Sequence, residues 1–269
     1  MTLKLLMAGA LALVPALSLA PLTAVADAWQ SRDDWAALFQ EHDAEGALLV
    51  VDERQDSRAT WVHNAARAEQ RFVPASTFKV PHTLFVLDAG VAEDEFQVFA
   101  WDGIDRGVPA WNADQNLRSA MRNSTVWLYQ RFARELGEES ERRYLEAIGF
   151  GNAEIGADLE NFWLEPGHLE ISAEEQIDFL QRLHRNELPF DEADQRLVKD
   201  LMIVETGRDW MLRAKTGWSG ELGWWVGWVE WPSGPVFFAL NMDTPNRMDD
   251  IPKRDAIVRA ALRDMEALP

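Results

Sequence analysis

The sequence predicts a mixed α/β (α+β) fold, an antiparallel sheet flanked by terminal helices with a helical lobe set between its two halves. Three features predict it. Strand-like apolar runs occur near the start, at Gly46 to Asp52 and Thr60 to His63, and return after Gly207. The later runs, Met211 to Thr216, Trp224 to Trp231 and Val236 to Met242, are rich in the β-branched and aromatic residues that suit a pleated surface. Between these groups the apolar spacing changes to the period of a helix. The two ends therefore build one sheet, the middle builds a lobe, and the cleft between them is the expected place for a site.

In chain order, Arg32 to His42 reads as an amphipathic helix with Trp35, Leu38 and Phe39 on one face, and it precedes the first two strands. Four segments of the middle are bounded by helix signals. Ser76 to Asp88 ends at Gly90, Gln115 to Leu136 ends at Gly137, and Glu138 to Ile148 ends at Gly149; glycine suits the left-handed position that closes a helix. Ser172 to Asn186 opens with Ser172-x-x-Glu175, a capping-box pattern. Asp194 to Val204 is read as a further helix. Glu230-Trp231-Pro232-Ser233-Gly234-Pro235 reads as a hairpin connection, and Pro252 to Leu268 closes the chain as an amphipathic helix.

Residues 1–26 read as a secretory signal. A weakly basic start, Met1 to Lys4, leads into the uncharged run Leu5 to Leu19 and the small-residue cleavage pattern Ala24-Val25-Ala26. That run is short against the about 20 residues of a bilayer span, so a removable leader is favoured over a stable membrane anchor. Residues 27–269 then form one domain of two interleaved lobes, with no linker or repeat to divide it, in the periplasm. The net charge of −19 argues against nucleic acid, whose phosphates it would repel. There is no cysteine, which excludes disulfides, a thiol nucleophile and a thiolate zinc site. None of the five histidines lies in an H-x-H or H-E-x-x-H spacing, so no metal is expected and each histidine reads as a surface or structural residue. The oligomeric state is open between monomer and dimer.

Three short patterns carry chemistry. Ser76-Thr77-Phe78-Lys79 opens a helix, and a spacing of three puts both end side chains on one face. A serine hydroxyl needs a neighbouring base to become a nucleophile. A lysine is that base only when burial keeps its amine neutral, and Phe78, Val80 and Phe85 are available to make the surroundings apolar. Alone, the pattern equally suits a helix-capping serine and a surface lysine. Ser124-Thr125-Val126, in the helical region, offers a second hydroxyl to relay a proton, or an ordinary helix serine. Lys215-Thr216-Gly217, at the end of a strand, offers a cation and a hydroxyl to a substrate carboxylate, and a glycine for close backbone approach.

As an ordered set, S-x-x-K, S-x-V and K-T-G resemble the penicillin-recognising serine enzymes, with their serine β-lactamase/D,D-peptidase-like fold. Val126 stands where class A β-lactamases carry Asn, and the chain looks like class D, the oxacillinases. The likeness runs from about Trp35 to Leu268. Phe150-Gly151-Asn152 is similar to a Y/F-G-N motif, and Phe162-Trp163-Leu164-Glu165 to an F/Y-W-[LI]-E segment. Arg213 to Trp218, Gly223 to Glu230 and Pro235 to Asn241 match the strands edging the site and resemble a narrow-spectrum oxacillinase subgroup.

The resemblance implies hydrolysis of penicillin-type β-lactams, and so antibiotic resistance, through an acyl-enzyme on Ser76. It implies no diffusible cofactor, but carbon dioxide or bicarbonate to N-carboxylate Lys79, the general base. Trp163 would donate its indole N–H to that group, while Val126, Leu164 and Phe78 keep water sparse. Ser124 would pass a proton to the leaving nitrogen. The backbone N–H groups of Ser76 and Trp218 would form the oxyanion hole. Lys215, Thr216 and Arg254 would hold the substrate carboxylate, with Arg247 a competitor for the last role. The chain departs from the pattern at Phe150, where many members carry tyrosine, and at Pro166-Gly167, where close relatives look one residue shorter. Three rivals stand beside this reading: a β-lactam sensor domain, a cell-wall D,D-peptidase, and a binding module built on Trp224, Trp225 and Trp228.

Overall fold

The structure, a computed structural model, describes residues 29–56 and 58–269. The expected signal segment, residues 1–26, lies outside them. A short strand β1 (Gln30–Ser31) leads through a 3-10 turn into α1 (Ala36–Glu41). Strands β2 (Gly46–Asp52) and β3 (Ala59–His63) and a four-residue helix α2 (Ala65–Ala68) follow. The lobe comprises α3 (Lys79–Asp88), α4 (Leu117–Asn123), α5 (Val126–Leu136), α6 (Glu138–Ile148), α7 (Ala173–Arg185) and α8 (Glu192–Leu201). The chain then returns to the sheet as β4 (Ile203–Thr206), β5 (Met211–Trp218), β6 (Leu222–Trp231) and β7 (Gly234–Asp243), and ends in α9 (Ile251–Asp264).

These strands form one seven-stranded sheet in the order β1-β3-β2-β7-β6-β5-β4. β2 pairs antiparallel with β7 from Gly46↔Met242 to Asp52↔Val236, so the two chain ends are joined at the middle of the sheet. Alternation along β6 serves both faces. Trp224, Val226 and Trp228 enter the core under the helical lobe, while Trp225 and Val229 enter a second core with Trp35 and Phe39 at one chain end and Ile257, Val258 and Leu262 of α9 at the other. Trp224, Trp225 and Trp228 are all buried, which removes the reading of these three as a ligand-binding surface. Among the described residues, no helix is long and apolar enough to cross a membrane.

Two expected helices are corrected. Gln115 to Leu136 is not one helix, because α4 closes at Ser124, which takes a left-handed conformation (φ 54°), and Thr125 is extended before α5 begins. The break carries no Gly or Pro, and the apolar spacing runs across it unchanged, so the sequence hides it. Asp194 to Val204 is not one helix either: α8 ends at Leu201, and Ile203–Thr206 pairs with β5 instead. The unpaired edge groups of β5 supply partners that a lone helical turn would lack. The capping box of α7 forms as expected, with Glu175 N–H donating to Ser172 Oγ at 3.1 Å and Ser172 N–H donating to Glu175 Oε2 at 2.9 Å. β4 pairs with Met211 to Arg213 and Ala214 N–H donates to Met202 O at 2.9 Å, so β5 beyond Ala214 has no strand on that edge among the described residues.

Candidate active site

Ser76 lies in a 3-10 turn, Ala75–Phe78, rather than inside a helix; α3 begins at Lys79. Ala75 before it holds a φ of 50°, a left-handed conformation that costs an alanine energy and marks a constrained turn. The turn is pinned from two sides. Thr77 Oγ1 donates to Pro74 O at 2.8 Å and accepts from Gln176 Nε2 of α7 at 2.8 Å. One turn on, Lys79 Nζ donates to Ser76 Oγ at 2.9 Å. The helical spacing thus produces the contact that the sequence pattern implies.

Lys79 is fully buried. Burial, reinforced by the charge of Lys215, holds its amine well below the usual lysine range and so favours the neutral form. Nζ lies 5.2 Å from the centre of the Tyr129 ring. The Tyr129 hydroxyl pairs with Thr83 Oγ1 at 2.8 Å, and Thr83 Oγ1 lies 2.7 Å from Lys79 O, so Tyr129 is tied to the lysine's own helix.

A second lysine–serine pair faces the first. Lys215 Nζ donates to Ser124 Oγ at 3.0 Å and to Thr216 O at 3.0 Å. Burial, helped by the charge of Arg254, lowers the Lys215 pKa to about 7. Ser124 reaches β5 because the break between α4 and α5 turns it out of the helical row. Gly217 fits β5 against the nucleophile turn: a Cβ there would stand 2.8 Å from Pro74 O. That close approach sets the end of β5, which closes at Trp218, against the turn that carries Ser76. Thr216 is exposed at the edge.

Of the two candidate arginines, Arg254 is the buried one. Its Nη1 donates to Gly217 O at 2.5 Å and Trp224 O at 3.4 Å, and burial lowers its pKa to about 10. Arg247 is exposed, with its guanidinium 5.9 Å from the Trp218 ring. Arg254 therefore lies against the substrate edge of β5, and Arg247 covers the indole at its end.

Beneath Lys79 is an aromatic box. Phe78 packs on Trp163 (ring centres 5.6 Å apart), Phe150 (6.0 Å) and Phe162 (5.3 Å). Phe150 thus serves as packing where a tyrosine hydroxyl was absent from expectation. Trp163 is fully buried, and its indole N–H has no acceptor. Val126, the first residue of α5, and Leu164 are half-buried.

The sequence reading did not assign Tyr129, His82 or Glu141 to this region. His82 stacks on Phe78 at 5.0 Å and lies 5.6 Å from both Tyr129 and Trp163. Its Nε2 is 2.6 Å from Glu141 Oε1 of α6, in poor hydrogen-bond alignment, and both side chains are fully buried. A spacing of three from Lys79 could have signalled His82 in the sequence. Glu141 comes from a distant helix and left no such signal.

Comparison with known proteins places these features in context. The penicillin binding protein transpeptidase domain family matches residues 37–263. The chain is 62% identical over 240 residues to β-lactamase OXA-3 of Pseudomonas aeruginosa, covering 89% of this chain and 87% of the relative. It is 60% identical over 252 residues to β-lactamase OXA-2 of Salmonella typhimurium, covering 94% and 91%. The crystal structure of the class D β-lactamase YbXI from Nostoc superposes with a TM-score of 0.83 at 40% identity, over 87% of this chain and 99% of that one.

The buried His82–Glu141 pair makes a stability test. Glu141→Ala should cost about 3 kcal/mol in urea unfolding, because it strands the imidazole without its partner. Replacing both residues with leucine should recover most of that loss. A single variant as stable as the parent would show that the pair contributes nothing.

Proposed function

Because the chain belongs to the penicillin binding protein transpeptidase family and, within it, to the class D β-lactamases, serine hydrolases that act on β-lactams, we propose that Ser76 is its nucleophile and penicillin-type compounds its preferred substrates. The observation that carries this reading is the facing of two lysine–serine pairs, Lys79 on Ser76 at 2.9 Å and Lys215 on Ser124 at 3.0 Å.

Each residue has a task in this reading. Ser76 Oγ loses its proton toward the Lys79 side and bonds to the lactam carbonyl carbon. The backbone N–H groups of Ser76 and Trp218 stabilise the oxyanion that forms. The lactam C–N bond breaks, Ser124 gives its proton to the departing nitrogen, and the proton taken from Ser76 is passed through Lys215 Nζ to Ser124, so that Lys215 ends as it began. Water then hydrolyses the ester on Ser76. Lys215, Thr216 and Arg254 attract the substrate carboxylate, and Gly217 leaves room for it beside the strand.

The same reading has carbon dioxide joined to the Lys79 amine. The residues present fit such a group. Burial lowers the pKa of Nζ and so favours the neutral amine, the form that adds CO₂. Trp163 offers a buried N–H with no acceptor of its own. Trp163 would hold the group, with Phe78, Val126 and Leu164 limiting water around it. Joined there, it supplies an anionic oxygen base for the Ser76 proton and for the hydrolytic water. In the same reading residues 1–26 are removed on secretion and the enzyme works in the periplasm; sequencing the N-terminus of the mature protein, with Asp27 expected first, checks this.

Three measurements test the mechanism. Purified protein should turn over benzylpenicillin, oxacillin and a chromogenic cephalosporin, with Ser76→Ala slower by about 10⁴-fold or more; comparable rates would remove the nucleophile. With ¹³C-labelled bicarbonate, a carbamate carbon signal should appear in NMR and vanish in Lys79→Ala. Trp163→Phe should raise the bicarbonate concentration needed for that signal, and an unchanged requirement would count against the indole. The third concerns pH. The Lys215 pKa is lowered to about 7, so its ammonium is present below that pH and lost above it. kcat/KM for a carboxylate-bearing substrate reports the free enzyme and should fall as pH rises through neutrality. A flat profile there would contradict the assignment of Lys215.

A further inference from the structure

A cavity of about 610 Å³ extends from the Lys215 end of the site, away from Ser76. Lys215, Thr216 and Arg254 line its near end, and neither Ser76, Trp163 nor Trp218 lines it. Its walls combine apolar side chains, among them Met121, Val204 and Trp225, with the exposed Arg122 of α4. That size and lining suit a small organic group rather than bulk water.

The charges around the cavity are unbalanced. Asp200 and Asp255 also line it, but Asp200 lies 3.7 Å from Arg213 and Asp255 pairs with Arg259 at 3.0 Å, both arginines outside the lining. Arg118 is paired with Glu95 at 3.1 Å. Arg122 has no hydrogen bond or ion pair among the described residues, and Lys215 and Arg254 are held only by hydroxyl and carbonyl oxygens. Among the described residues, three cations therefore line one cavity without a carboxylate in hydrogen-bond contact, in a chain whose net charge is −19, and Asp255 acts on Arg254 only through its charge. Burial is the main cause of the lowered pKa values of Lys215 and Arg254, and Asp255 acts against it at Arg254. One substrate carboxylate at Lys215 and Arg254 answers two of the three cations and leaves Arg122.

The geometry points to a substituent subsite, in which the cavity accepts the group that branches from the carboxylate-bearing ring of the β-lactam and Arg122 selects substituents ending in an acid. The inference rests on the substrate carboxylate lying at Lys215, Thr216 and Arg254. In a six-membered-ring β-lactam, a cephem, the ring carbon beside the carboxylate-bearing carbon carries such a substituent. In a penam the corresponding position carries only methyl groups. The apolar wall then receives the body of the substituent, and the guanidinium of Arg122 receives its terminal carboxylate as a charge-assisted hydrogen bond.

The test uses two cephems with the same acylamino side chain, one bearing a neutral substituent at that carbon and the other a substituent ending in a carboxylate. The readout is the ratio of kcat/KM for the acidic compound to that for the neutral one. The ratio cancels any difference in the amount of folded enzyme. Arg122→Ala should lower it about tenfold, the effect of ~1.4 kcal/mol, and Arg122→Glu should lower it further. Arg254→Ala should slow both compounds alike. A ratio unchanged in both Arg122 variants overturns the subsite. Wild-type rates for both compounds in Arg254→Ala overturn instead the carboxylate placement on which it rests.

Discussion

Burial of the Lys79 amine is the condition on which the rest of the site depends. A lysine in water is a cation and offers no base to a serine. Here the amine is closed off by the helix that carries it, by the Tyr129 ring 5.2 Å away and by the aromatic box around Phe78. Desolvation penalises the ammonium, the charge of Lys215 adds to the penalty, and the amine's pKa falls well below the usual lysine range. That single shift is what the proposed roles of Ser76 as nucleophile and of the Lys79 amine as acceptor of carbon dioxide both require. The constrained Ala75 turn and the Thr77–Gln176 bond serve it by holding the serine where the lysine reaches.

A second cation sits close by without undoing the first. Lys215 is buried too, and each lysine lowers the neighbouring charge's stability: Lys215 depresses Lys79, and Arg254 depresses Lys215. The chain of three basic groups descends from the carboxylate end of the cleft to the nucleophile. An anion bound at the Arg254 end relieves that strain, which is a physical reason for substrates with a carboxylate to bind there. Of the acids nearby, Asp200 lies against Arg213 and Asp255 pairs with Arg259, so Asp255 reaches Arg254 only as a longer-range charge.

The sheet fixes the relative positions of these groups. β5 carries Lys215 and Gly217, and its place is set by β6 and β7, which are anchored in turn on β2. Helical elements deliver Ser76, Lys79 and Ser124 to the free half of the β5 edge. Gly217 decides how closely they approach, because any side chain there would meet Pro74 O. Similarity to β-lactamases OXA-3 and OXA-2 extends over the strands and helices that make this frame, not only over the short motifs.

By itself, the sequence determined the features that depend on local spacing. A spacing of three puts Ser76 and Lys79 on one face, Ser172 and Glu175 cap a helix, and the aromatic and β-branched run Trp224 to Trp231 marks a strand. The order of the strand runs was enough to join the two chain ends in one sheet, and the three motifs together were enough to recognise the family. Tertiary structure alone decided what depends on partners far along the chain. Ser124 leaves the helical row by a left-handed turn that no Gly or Pro announces, because its position is settled by contact with Lys215 rather than by local preference. Ile203 to Thr206 gave up a helical end for an available strand edge. Glu141 joined His82 from another helix, and Arg122 came to face the same cavity as Lys215 and Arg254. Burial and charge balance are sums over neighbours in space, and a linear pattern records only neighbours along the chain.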